Sequence, residues 1–69
     1  MDISKKIKAA EAYAGISEAE HARKMGTSSQ AWGQRLKTGK FSSEDLEKIA
    51  DTMGAKVILE FRFTDGTAI

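Results

Sequence analysis

Residues 17–37 read SEAEHARKMG followed by TSSQAWGQRLK, two short stretches of helical periodicity hinged at Gly26. Ser17 and Glu20 fit the S-x-x-E capping box, in which a hydroxyl and a carboxylate satisfy orphan amides reciprocally. Ala19, Ala22 and Met25 supply the inward stripe of this first stretch. Thr27 and Gln30 repeat the capping pattern one step further on. The stretch they open carries only two strong apolar residues, Trp32 and Leu36, four apart on one face. The remainder is polar, with Ser28, Ser29, Gln30, Gln34, Arg35 and Lys37. So narrow a seam leaves most of the helix circumference exposed. Ala22 is small enough for a close helix crossing, and Gly26 can take the positive φ of a tight turn.

Working outward, Ile3, Ile7, Ala10 and Ala14 fall at helical spacing and predict a first helix over about residues 2–14. The central pair then spans about 17–25 and 28–38. A fourth helix, about 43–53, is capped by Ser42 or Ser43 and carries Leu46, Ile49, Ala50 and Met53. After Gly54 the period changes to two. Val57, Leu59, Phe61 and Phe63 alternate with Ile58, Glu60, Arg62 and Thr64, which predicts a half-buried strand over about 56–64. Asp65-Gly66 signals a turn. Three residues follow it, too few for a full return strand.

The expected fold is therefore mainly α: four helices and one C-terminal strand in a single domain, 1–69. A lone strand leaves its backbone groups unsatisfied and its edge open. Pairing with the same strand of a second copy about a two-fold axis, through Val57, Ile58, Leu59, Phe61 and Phe63, would resolve this. A strand with an open edge or a short hairpin is the alternative.

Composition points the same way. A chain of 69 residues buries only about 60% of its unfolded surface. Small scaffolds add disulfides, a metal or a partner chain. There is no cysteine and a single histidine, so disulfides are excluded and a zinc site is disfavoured. No run approaches the roughly 20 apolar residues of a membrane span, and no apolar segment follows the charged N-terminus as in a signal peptide. The reading is a soluble, intracellular chain with no membrane partner and no cofactor.

The net charge of +1 conceals a segregation. From His21 to Ser43 the basic residues are Arg23, Lys24, Arg35, Lys37 and Lys40, with no acid among them. Lys5, Lys6 and Lys8 add to the N-terminus, whereas Glu44, Asp45, Glu47 and Asp51 collect in the fourth helix. Such a stretch creates a local positive field. Two short helices hinged at a glycine, the second polar on most of its surface, form a helix-turn-helix, which offers that helix to the DNA major groove.

The order Ala22, Met25, Gly26, then Thr27-Ser28-Ser29-Gln30, Trp32, Leu36 and Lys37-Thr38-Gly39-Lys40-Phe41 resembles the Xre / Cro-repressor-like helix-turn-helix family, especially its small phage-type members. Leu46-Glu47-Lys48-Ile49-Ala50-Asp51 looks like that family's fourth helix. The resemblance covers roughly Ile3 to Val57. It implies a four-helix lambda-repressor-like domain, a cytoplasmic prokaryotic or phage-encoded regulator, and double-stranded DNA as the partner. By matching position, Ser28, Ser29, Gln30, Gly33 and Gln34 become base-reading candidates. Thr27, Arg35, Lys37, Thr38, Lys40, Arg23, Lys5 and Lys6 become phosphate candidates. Glutamine and serine are suited to base edges, glutamine bidentately to adenine. Gly33 allows close backbone approach. The sequence departs from the family at His21, where an apolar residue is common, and at Glu18, which would repel the phosphate that the family's glutamine touches. The four-residue spacing of Trp32 and Leu36 leaves both Arg35 and Lys37 as candidates for the DNA-facing side.

Other readings are available for the same residues. Trp32 is a core residue rather than a stacking platform, and His21 a packed histidine rather than a metal ligand. The acids of the fourth helix suit the positive end of its dipole. No nucleophile–base pair, phosphate loop or metal cluster points to an enzyme. An antitoxin-like interaction module, pairing its C-terminal strand with a different protein, is the alternative function.

Overall fold

A short polar side chain starts each of the four helices. In the computed structural model, which describes residues 2–69, α1 (Ile3–Ala14) begins at Asp2, whose carboxylate accepts the Ser4 and Lys5 amides at 3.1 and 3.2 Å. α2 (Glu18–Lys24) is capped by Ser17, whose hydroxyl accepts the Glu20 amide. α3 (Ser29–Thr38) is capped by Ser28 rather than by Thr27. The Thr27 amide donates to the Ala22 carbonyl at 2.9 Å, so Thr27 belongs to the turn that closes α2. α4 (Ser43–Thr52) holds the reciprocal capping box: Asp45 donates its amide to the Ser42 hydroxyl and accepts the Ser42 amide in return. The box carries Asp where the sequence pattern sought Glu or Gln.

Ile7, Ala22, Met25, Trp32, Leu36 and Ile49 form the core, with Ile3, Phe41, Leu46 and Met53 at its edge. Each helix contributes, and α2 lies against α3. Two positions of the expected stripes fail. Ala14 and Ala19 are exposed, and in α2 the buried places belong to His21 and Ala22. Ala22 and Met25 keep their places in the seam, and His21 joins them instead of Ala19 because it finds partners on α1 and α4, as described below.

The expected 56–64 strand does not form. Residues 55–60 take no regular secondary structure, and every residue after Gly54 is exposed. The chain then turns back on itself. Phe61 and Ile69 exchange both amide–carbonyl bonds, at 2.7 and 2.9 Å, and the Phe63 amide donates to the Thr67 carbonyl. A single bridge, Arg62 to Ala68, lies between them. The turn rests on Asp65, whose carboxylate accepts the Thr67 amide, and on Gly66 at φ +92°. A strand needs a neighbour to complete its ladder, and here that neighbour is Thr67 to Ile69. The result is a minimal hairpin in a molecule 45 Å long and 23 by 19 Å across.

Gly39 is the tightest point of the helical body. It ends α3 at φ +65°, and a Cβ there would lie 3.3 Å from Ser4 Oγ, which donates to the Leu36 carbonyl and so ties α1 to the end of α3. Gly33 sits mid-helix with open space around it. Gly39→Ala is expected to cost about 1–2 kcal/mol, from the left-handed conformation alone. Gly33→Ala should gain up to about 1 kcal/mol of helix propensity. Urea denaturation of the two variants checks the opposite signs.

Candidate nucleic-acid interface

α3 is held by a buried polar contact as well as by its apolar seam. Trp32 and His21 are both fully buried, and Glu11 is 4% exposed. One carboxylate oxygen of Glu11 accepts the Trp32 ring N–H at 3.1 Å and meets His21 Nδ1 at 2.5 Å. His21 Nε2 lies 2.8 Å from Thr52 Oγ1, and that hydroxyl donates to the Ile49 carbonyl at 2.6 Å. The single hydroxyl hydrogen is therefore spent on Ile49, so Nε2–H is the donor to Thr52. Among the described residues no buried side-chain nitrogen or oxygen lacks a partner. α1, α2, α3 and α4 each place one side chain in this network.

Thr52, His21 and Glu11 follow the order hydroxyl, imidazole, carboxylate of nucleophilic triads. The direction of the bonds gives them a structural task, since the hydroxyl gives its proton to a backbone carbonyl and accepts from the ring. Sequence spacing does not bring this set together, since its members lie 10 and 31 residues apart. Two polar residues inside apolar stripes, Glu11 and His21, were the only signal available.

With Trp32 and Leu36 turned inward, α3 presents Gln30, Gln34 and Lys37 on the opposite face, all exposed. Ser28 and Ser29 are exposed at its start, and Gly33 flanks the outward face half-buried. The Ser28 hydroxyl already accepts the Ala31 amide. The five base-reading candidates thus belong to one helix and its cap.

The phosphate candidates separate. Lys37 and Lys40 are exposed and make no ion pair among the described residues. Lys5 is exposed next to Ser4, whose bond to Leu36 brings the start of α1 to the end of α3. Arg35 is engaged elsewhere. Its guanidinium carbon is 5.9 Å from the Trp32 ring centre and 5.2 Å from that of Phe41, and a guanidinium nitrogen is 3.2 Å from Asp45. Between Arg35 and Lys37, only Lys37 shares a face with the two glutamines. The Thr38 hydroxyl donates back to the Arg35 carbonyl, Thr27 is half-buried, and Arg23 is exposed on α2. Lys6 lines an apolar groove of about 480 Å³ between α1, α4 and residues 55–59, which takes no residue from α2 or α3.

Hydrogen bonding to Ser42, first from its amide and then from its side chain, holds the Asp45 carboxyl below the usual carboxylate range, with the Arg35 charge adding to it. Among the described residues no group of three or more His, Asp or Glu could hold a metal, and no helix is long and apolar enough to cross a membrane. Comparison with known proteins finds no match to a family model, a curated protein or a solved structure. The function must be argued from the chain's own geometry.

Removing Glu11 strands a buried imidazole and the indole N–H together. Glu11→Ala should therefore cost about 3–5 kcal/mol, the penalty of breaking a buried pair, while Glu11→Gln, which keeps an acceptor, costs less. Fluorescence of Trp32, the only tryptophan, reports both in urea. The lowered Asp45 carboxyl contributes stability above the ordinary carboxylate range that disappears as pH falls through its folded value. Asp45→Asn should flatten that acid limb of the urea midpoint against pH.

Proposed function

We propose that this chain is a sequence-specific DNA-binding regulator of transcription. α2 and α3 act as a helix-turn-helix in a four-helix lambda-repressor-like domain, with α3 in the major groove. One observation carries the reading. The buried face of α3 is fixed by Trp32, Leu36 and Glu11, which leaves an uncharged polar face, Gln30 and Gln34, flanked by the unpaired cations Lys37 and Lys40. Uncharged amides suit base edges, where bidentate bonds to adenine discriminate. Lysines at the helix end suit phosphates, which set register without reading sequence. Lys5 extends the phosphate set across the α1–α3 junction, and Arg35 serves the core by lying over the Trp32 and Phe41 rings. The Xre / Cro-like resemblance of residues 3–57 supports the same assignment, and with it a prokaryotic or phage setting in the cytoplasm.

A homodimer fits this task. Two copies joined through the C-terminal segment would read a pseudo-palindrome with half-sites about 34 Å apart. The exposed apolar residues Ile58, Leu59, Phe61, Phe63 and Ile69 support self-pairing, because a monomer gains nothing by leaving them in water. They also support a second reading, an antitoxin-like module whose hairpin edge awaits a different protein. The solution mass of the purified chain separates the two: a stable dimer favours the regulator, and a monomer favours the module.

On a duplex selected from a random pool, Gln30→Ala and Gln34→Ala should each cost about 1–3 kcal/mol of binding and relax preference at one base pair. Lys37→Ala should weaken binding to all sequences alike and reduce the slope of log K against log salt by about one. Unchanged affinity and preference in both glutamine variants would remove α3 from the groove.

A further inference from the structure

The 60–63 arm of the hairpin has one paired side and one open side. Phe61 and Phe63 point their backbone groups at Ile69 and Thr67, and this sets the parity of the strand. The amides and carbonyls of Glu60 and Arg62 therefore point the other way, where no strand lies, and neither residue takes a backbone partner. Their side chains share one face and touch, with Arg62 Nε 2.8 Å from Glu60 Oε1. Leu59, Phe61 and Phe63 project on the other face, 73%, 67% and 55% exposed.

We infer that two copies pair antiparallel along this open edge with the two-fold axis through Phe61, so that Glu60 of each faces Arg62 of the other. This rests on the self-pairing proposed above and is independent of whether the chain binds DNA.

Charge and shape select that axis. An antiparallel pair about an axis at residue n sets residue n−1 opposite n+1. With the axis at Glu60 the two glutamates oppose each other, and at Arg62 the two arginines do; like charges directly opposite are destabilising. An axis at Leu59 sets Glu60 against Ile58, and one at Phe63 sets Phe61 against Asp65. An axis between residues would mix the two faces of the pleat. Only the axis at Phe61 gives two Glu60–Arg62 pairs across the junction, and it also stacks Phe61 on Phe61 and Leu59 on Phe63 in both directions. The parity agrees, since 60 opposite 62 is the hydrogen-bonded pair and 61 opposite 61 is not. Two marginal hairpins become one sheet of four short strands, in which the open 60–62 edge of each copy is paired and only the short 67–69 segments form the rim.

Single cysteines test the register, because the chain has none of its own and any disulfide must join two copies. Under copper–phenanthroline oxidation, Phe61→Cys should form a covalent dimer. Glu60→Cys and Arg62→Cys should each remain uncrosslinked alone and crosslink when mixed, because like positions then lie beyond the roughly 7 Å reach of a disulfide. Charge reversal gives a second readout. Glu60→Arg and Arg62→Glu should each weaken dimerisation by about tenfold, and an equimolar mixture should recover it as a heterodimer. Self-crosslinking at 59, 60 or 62 would overturn the register while leaving self-pairing intact. No crosslink at any position, with a monomeric mass for the wild-type chain, would overturn both. Duplex binding by the wild-type chain is scored separately, so a failure there does not bear on the pairing.

Discussion

One carboxylate oxygen of Glu11 sits where the helices meet, and the position of α3 depends on it. It accepts the indole N–H of Trp32 and lies against His21 Nδ1, while His21 reaches Thr52 at the end of α4. A chain this short has little apolar area with which to hold four helices. The polar contact supplies what oil alone does not, a directional link from α1 to α2, α3 and α4. Its cost is desolvation, and the cost is met only while every donor and acceptor is engaged. That condition is satisfied here.

The two faces of α3 follow from this anchoring. A helix with two large apolar residues could roll on its neighbours. Trp32 cannot rotate without losing its bond to Glu11, its edge contact with the His21 ring at 4.9 Å and the Phe41 ring at 6.1 Å. Arg35 closes the same side by lying near both rings and reaching Asp45. Gln30, Gln34 and Lys37 are thereby kept outward. A helix offered to a groove gains specificity only if its outer face is presented in one orientation, since ordering it on binding would cost affinity.

The C-terminal segment follows a different economy. Its alternating apolar residues describe a strand, and in the structure only Phe61 to Phe63 pair, with Thr67 to Ile69. The hairpin that forms spends Thr67 to Ile69 on one edge and leaves the other open. Period-two alternation is legible from sequence because it reflects side-chain geometry. Whether a ladder forms depends on a neighbour, which a single chain's pattern does not specify.

The four helices, their approximate ends, the Trp32–Leu36 seam and the polar exposure of Gln30 and Gln34 were decided by local sequence, because helical spacing and capping act over three or four residues. The cap of α3 lies one residue beyond Thr27, at Ser28, because the turn that closes α2 still includes Thr27. Tertiary structure alone decided that His21 and Glu11 are buried together, that Arg35 is withdrawn from the outward face while Lys37 remains on it, and that residues 56–64 are not a strand. Each of these turns on groups far apart in the chain or on the absence of a partner. Spacing along one helix records which residues share a face, and it carries no information about what that face will meet.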